Sequence, residues 1–542
     1  MTIKIDATGE YAPKTVFWIF FSSFALLCLG YYFTYQQEIF PTISTPITMS
    51  AYEAEVRSVA INKASELQLD PREVQTSSGY VTDRAVNNYI TLEAGGNKKL
   101  NALLEEDSVI SSYWKVRMYI PSNPQEHAYF FAPDGRSMGF HIALPEAVER
   151  SNISKGEALQ KIENYLDKNP LAGVNTDEYI LKDYSQVKQS NGRVDHTFTY
   201  EHQSKHIEKA RYKYEAKVSG DTITLVHAFI DVPEAFYDKY KSMRSSNELL
   251  SNIGNILVFG VYGMLMFSAV IYAWNKNKLD WYHAVGIAGV IVFMGALAMV
   301  NALPSHWFYS YNTLSSPYLF YISFLNNVLH SSLWSFFFLS VTFLAGDYLT
   351  RMAFPHHINF WMAWRREASA SWLVSEQIAI GYGLCCVSLG YIALFYTTVL
   401  QLPGVWSPSH NFHDPNIISD YVPFLGPISR SLHAGVWEEF LFRAVPLSAI
   451  AILGKRRGNV NLYLSIGIII QAFIFGLAHA SYPQQPSYIR MVELGIEFII
   501  YGVVYLQYGL LPCIVSHYLF DVFAMSESLF FMQTPGIAIQ QV

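Results

Sequence analysis

The sequence predicts a multi-pass α-helical membrane protein of about nine spans, with a soluble α+β domain inserted after the first span. Three observations predict it. Apolar residues make up 51% of the 542 positions and aromatic residues 15%. The charges are segregated: of 37 Lys/Arg and 44 Asp/Glu, residues 36–245 hold 24 and 29, which leaves the rest apolar enough for a bilayer. The Lys and Arg clusters of the loops beyond that region fall on alternate loops between apolar segments. The net charge of -7 is spread among mixed signs, so nothing points to nucleic acid.

Residues 1–14 read as a cytoplasmic N-terminus. Residues 15–35, "TVFWIFFSSFALLCLGYYFTY", form an uncharged run long enough to span a bilayer. No small-residue cleavage site follows, which favours a retained anchor over a cleaved signal peptide. Residues 36–245 read as an extracytoplasmic α+β domain. Within "ISKGEALQKIENYLDKNP" (153–170), Ala158, Ile162 and Leu166 have helical spacing and Ser154 can cap the helix. The stretches "HAYFFAPDGRSMGFHIAL" and "ARYKYEAKVSGDTITLVHAFI" alternate and break at "PDG" and "SGD", as hairpins do. A helix followed by hairpins resembles the small PepSY-type modules of secreted and membrane-tethered proteins; a binding or spacer role is the plainer expectation.

From residue 250 onward eight further apolar segments follow, at 250–274, 281–302, 317–347, 374–400, 421–452, 460–480, 490–510 and 512–532. "NKNK" (275–278), the group Arg351, Arg365 and Arg366, and "KRRG" (455–458) lie on alternate loops, while loops 303–316 and 401–420 lack Lys and Arg. Nine spans with a cytoplasmic N-terminus satisfy this pattern in a cytoplasmic (inner) membrane and put 36–245 outside the cytoplasm. Residues 246–419 then supply accessory helices, 420–532 a catalytic membrane core and 533–542 a tail. Cys28, Cys385, Cys386 and Cys513 all lie in apolar segments, which gives neither a disulfide framework nor a CxxC metal site.

The last four segments contain polar residues a bilayer disfavours. "HAGVWEEFLFRAVP" (433–446) carries Glu438, Glu439 and Arg443; "FIFGLAHA" brings Phe475 and His479; "SHYLFD" brings His517 and Asp521. Uncompensated, the four charges would cost on the order of 10 kcal/mol at the bilayer centre. Residues four apart share a helix face, so Glu439 can pair with Arg443, and His517 faces the same way as Asp521. Glu438 is turned by about 100° and has no partner on its own helix. A carboxylate and two imidazoles from three helices, with a second carboxylate nearby, suit a hydrolytic water or a divalent metal.

"EEFLFR", "FGLAH" and "HYLFD" resemble the EExxxR, FxxxH and HxxxN/D motifs of the CPBP family of intramembrane proteases, which includes the type II CAAX prenyl endopeptidases and bacteriocin-processing or immunity proteins. The resemblance covers about residues 420 to 532. It implies an intramembrane metalloendopeptidase that cleaves membrane-associated, prenylated CAAX-type substrates in the lipid bilayer. It implies that Glu438 and His479 activate the water, and that His517 and Asp521 bind metal or steady the oxyanion. Glu439 and Arg443 would hold the site's shape. The implied cofactor is a divalent metal, Zn, on Glu438, His479, His517 and Asp521. Asp521 departs from the Asn of many members; an ionised Asp cannot donate to an oxyanion, which favours metal binding there. A metal-free, glutamate-activated water is the other chemistry proposed for the family.

Two rival functions are a catalytically inactive scaffold or immunity protein, and a transporter. The transporter would need a second copy of the charged motif in a symmetric half, and none precedes it. No HExxH or membrane GxSxG is present. His330 and His433 read as helix-packing residues, Arg490–Glu493 as an interfacial pair, and Glu497 is left open. Counting depth from "KRRG" puts His479 near the outer face and His517 near the inner one. At least one segment is therefore expected to be broken, tilted or re-entrant.

Overall fold

A computed structural model describes residues 20, 22–30, 46–358, 360–408, 415–534 and 537. The readings for residues 1–14, for most of the first anchor and for most of the tail lie outside the described residues. Residues 22–30 are helical.

The soluble part is built on one antiparallel sheet. Its elements are α1 (Ala51–Lys63), β1 (Gln75–Thr82), α2 (Arg84–Glu93), α3 (Gly96–Glu105), β2 (Ser112–Tyr119), β3 (Glu126–Phe131), β4 (Ser137–Ala143), α4 (Lys155–Lys168), β5 (Tyr179–Lys188), β6 (Val194–Ile207), β7 (Ala210–Ser219) and β8 (Thr222–Asp231). The eight strands run in the order β1-β2-β3-β4-β8-β7-β6-β5. The expected helix and both hairpins are present, with "PDG" turning β3 into β4 and "SGD" turning β7 into β8.

The order reveals a duplication that the sequence reading missed. Two four-stranded meanders, each preceded by a helix, meet at the β4–β8 pairing. Both helices open on a capping box, Ser50 with Glu53 and Ser154 with Glu157. Ala54 matches Ala158 against the sheet, but Ser58 and Asn62 match Ile162 and Leu166. The first helix therefore lacks the apolar periodicity that exposed the second. Desolvation pushes the buried His127 and the half-buried His227 of this domain down to about 4, which keeps both neutral near pH 7.

Every apolar segment expected from residue 250 onward is helical. The helices are α5 (Glu234–Asn275), α6 (Trp281–Asn301), α7 (Leu303–Ser310), α8 (Pro317–Ala353), α9 (Trp372–Val399), α10 (Leu425–Glu439), α11 (Val445–Arg457), α12 (Val460–Ala478), α13 (Ile489–Tyr508) and α14 (Leu510–Phe530). Among the described residues five of them, α5, α6, α8, α9 and α12, are long and apolar enough to cross a membrane. The count of nine spans is finer than this. α10 and α11 are each short because a π turn, Phe440–Ala444, separates them. α13 carries Arg490, Glu493 and Glu497.

Residue 245, the expected end of the soluble domain, falls inside α5. Its first turns are charged because this helix has 42 residues, more than the roughly 20 a bilayer needs. Arg490 and Glu493 are paired as expected and are buried among the helices.

The soluble domain is seated on the membrane helices. Arg117 donates to the carbonyls of Phe308 and Tyr311 at 2.6 and 3.1 Å. Ile47 pairs with Met532 just beyond α14, and Leu529, Met532, Ile417 and Ile418 join the apolar core under the sheet.

Candidate active site

The site forms where α10, α12 and α14 meet, and the local sequence brings them close. Gly435 lets α10 touch α14: a β-carbon there would lie 2.9 Å from the Tyr518 backbone nitrogen. One turn on, Glu438 and Glu439 end α10. Pro446 has no N–H to return to the preceding turn, and the chain widens into the π turn that carries Arg443. This π turn precedes the stretch over which the depth count disagreed, from residue 455 to His517. α12, α13 and α14 are each continuous.

All six expected residues come together. Glu439 and Arg443 are fully buried and paired, with Arg443 Nε 3.2 Å from Glu439 Oε2. The guanidinium lies over Phe498 at 3.9 Å, Phe475 at 4.8 Å and Tyr501 at 5.4 Å. These rings replace water around a charge that would otherwise be costly to bury. The other oxygen, Glu439 Oε1, accepts a 2.8 Å hydrogen bond from His517 Nδ1. Sequence spacing could not reveal this second bond of Glu439, because it crosses between helices. Nor did it single out Phe498 and Tyr501, which come from α13.

With Nδ1–H given to Glu439, His517 turns Nε2 towards Asp521 Oδ2 at 3.6 Å and Glu438 Oε2 at 3.9 Å. His479 follows the last residue of α12 and folds back, donating Nδ1–H to the Phe475 carbonyl at 2.9 Å. Its Nε2 therefore presents a lone pair, 3.7 Å from Glu438 Oε2. That oxygen is buried without a hydrogen-bond partner among the described residues. Glu438, His479 and Asp521 keep 17, 23 and 17% of their side-chain surface exposed, whereas Glu439 and Arg443 keep none. The reactive groups can be reached and the supporting pair cannot.

The donor types suit a divalent metal, and as placed the measured pairs stand slightly wider than an ion would hold them. A tetrahedral ion with bonds of about 2.1 Å holds its ligand atoms about 3.4 Å apart. These neighbours stand 3.6–3.9 Å apart, and among the described residues no three His, Cys, Asp or Glu side chains form a group able to hold a metal ion.

Residues 422–523 match the family model described as type II CAAX prenyl endopeptidase Rce1-like. The Rce1-like segment contains all three motifs, so the family resemblance drawn from them holds, and with the apolar helices it supports a membrane protease. Over 146 residues the chain is 23% identical to the sporulation-killing factor biosynthesis protein SkfC of Bacillus subtilis (strain 168). That alignment covers 27% of this chain and 28% of SkfC, so the chain spans under a third of that relative's length. No solved structure matches.

Proposed function

We propose that the protein is an intramembrane endopeptidase that cleaves membrane-associated peptides or proteins, with prenylated CAAX-type substrates the first class to try. The observation that carries this reading is Glu438, whose side chain keeps some exposure while its buried Oε2 makes no hydrogen bond within the described residues and is flanked by the Nε2 atoms of His479 and His517. A water held between Glu438 and His479 gives its proton to Glu438 while its oxygen attacks the scissile carbonyl carbon. His517, protonated on both nitrogens, donates from Nε2 to the oxyanion while Glu439 fixes its ring. Glu438 then passes the proton to the leaving amine. Asp521 orients His517 from one turn away.

Because the four donors do not fit an ion as placed, no step runs through the metal that the resemblance implies. Metal analysis of the purified protein beside its Glu438→Ala and His517→Ala variants decides that point. The duplicated sheet domain, outside the cytoplasm in this reading, docks the substrate. SkfC's name associates it with making a killing factor, so an unprenylated peptide is the second substrate class to try.

The test is cleavage by the full chain in lipid nanodiscs of a matched peptide pair, prenylated and unprenylated. Turnover is expected in the wild type and none in Glu438→Gln or His479→Ala. Wild-type turnover in both variants sinks the assignment.

A further inference from the structure

The helices that carry the site change character at its level. On α14, from Leu510 to His517 only Val515 is not buried, whereas from Tyr518 to Glu527 no residue is buried. On the chain that runs from α10 into α11, every residue from Glu439 to Ser448 is buried, while Trp437 and Glu438 just before them are half-buried. The open halves are the ones that lead to the sheet domain. α14 ends in Leu529, and α10 begins just after Ile417 and Ile418; all three belong to the apolar core under the sheet. Asp521 lies eight residues from Leu529, about 12 Å along the helix.

Towards the opposite end the bundle is filled in layers. Phe498, Tyr501, Tyr505 and Tyr508 follow one another by single turns down α13, and all are buried. The Tyr501 hydroxyl bonds Ser516 of α14 at 2.7 Å and Ser388 of α9 at 3.3 Å. One turn on, the Tyr505 hydroxyl bonds Ser448 of α11 and Thr350 of α8, each at 2.9 Å. Each tyrosine thus ties its own helix to two others and spends its hydroxyl inside the protein. At the far end a β-carbon on Gly509 would lie 3.6 Å from the His357 ring, and Lys455 of the basic loop donates to the Ala353 carbonyl at 2.6 Å.

The wall facing α14 in the open half is the stretch that begins at His479. Trp406 and Gln485 exchange both backbone hydrogen bonds at 2.8 Å, and the Trp406 indole donates to Thr91 of α2 in the sheet domain at 3.0 Å. Both walls therefore end on the sheet domain. Glu438 stands between them, with His479 on one side and His517 and Asp521 on the other.

We propose that the site opens only on the side of the membrane where the sheet domain stands, and that its substrates are peptide segments lying at that surface. The side of entry rests on the packing alone; that a peptide is what enters rests on the peptidase reading. The loop charges put that surface outside the cytoplasm, which makes the substrate class exported peptides and the outer juxtamembrane ends of membrane proteins.

The test uses the full chain in sealed membrane vesicles of both orientations, sorted by whether added trypsin reaches the sheet domain. Cys28, Cys385 and Cys386 are replaced by Ala, so that buried Cys513 in the closed half is the remaining thiol. Ala524→Cys adds a second thiol in the open half, on the face of α14 that carries Asp521. A membrane-impermeant maleimide should label Ala524→Cys at least tenfold faster from the sheet-domain side than from the other, and Cys513 from neither. Equal labelling of Ala524→Cys from both sides, labelling from the opposite side alone, or none overturns the proposal. So does labelling of Cys513 from the opposite side. In the second arm an impermeant peptide is added to wild-type vesicles, and cleavage is expected only where the sheet domain faces it. Cleavage in the inverted vesicles overturns the entry side. No cleavage in either, even after detergent permeabilisation, overturns the substrate and the peptidase reading, and the labelling still decides the entry side.

Discussion

Two clusters of buried carboxylates lie in the same helix bundle and differ in one respect. At Arg490 and Glu493 every carboxylate oxygen is occupied: Oε1 takes Arg490, and Oε2 accepts from Tyr396 at 2.5 Å, whose hydroxyl in turn accepts from Gln484 at 3.1 Å. At Glu438 and Glu439 the pairing is split. Glu439 is fully buried, ion-paired with Arg443 and hydrogen-bonded to His517, whereas Glu438 has only the imidazoles of His479 and His517 at 3.7 and 3.9 Å and keeps 17% of its side chain exposed. A charge buried in a membrane protein therefore does not by itself mark a reaction site.

The largest effect that tests this contrast is on rate. Glu438→Gln should lower peptide cleavage by about 10³-fold while the melting temperature stays near wild type, because Oε2 makes no hydrogen bond within the described residues to lose. A melt lowered in step with activity would make Glu438 a structural residue. Glu439→Gln should behave oppositely. It leaves Arg443 without its counter-charge in a dry site, and breaking such a pair costs about 3–5 kcal/mol. Chemical unfolding in micelles would read this loss, and a stable but inactive variant would instead place Glu439 in the chemistry.

Tyr396→Phe opens the sealed cluster by one bond to a charged acceptor. It should cost about 1.5–3 kcal/mol in the same unfolding measurement, with the turnover of folded protein unchanged. A selective loss of turnover would erase the distinction between the clusters.

The smallest effect concerns pH and guards the others. His127 and His227 titrate near pH 4 in the folded domain and near 6.5 when unfolded. Their depressed folded values mean full stability above about pH 6.5 and progressive loss as pH falls towards 4. At about pH 5.5 each costs about 1 kcal/mol. Circular dichroism across this range should show sheet stability falling, and a flat profile would mean that the two rings are not sealed from water. Acid loss of peptidase activity in this window must be corrected for it.

Much of the site was legible because its residues break a rule. Charges and histidines in apolar segments stand out, and three motifs in order tie them to one family. The helix bearing Ala158, Ile162 and Leu166 was equally plain. Its counterpart at Ala51–Lys63 was not, since Ser58 and Asn62 occupy the matching buried positions and hydrogen-bond locally instead, Ser58 to the Ala54 carbonyl and Asn62 to the Leu69 backbone. The Glu439–His517 bond and the aromatic cage of Arg443 were hidden for another reason. They join residues distant in the chain, and single-sequence periodicity reports only what one helix does with itself.

α5 has a mechanical consequence. It leaves the last strand of the sheet, and Asn247 on it holds the carbonyls of Tyr482 and Gln484 at 2.8 and 3.1 Å, while Arg244 holds that of Ser481. Further down, Gly254 brings the same helix against the Ala478 backbone, where any side chain would collide at 2.4 Å. The loop beginning at His479 is thus fastened at several points to a stiff rod whose upper end is the sheet. Between strand and loop there is only the two-residue joint Val232–Pro233 to absorb torque. A load that tilts the outer domain is delivered to the imidazole end of the site as strain.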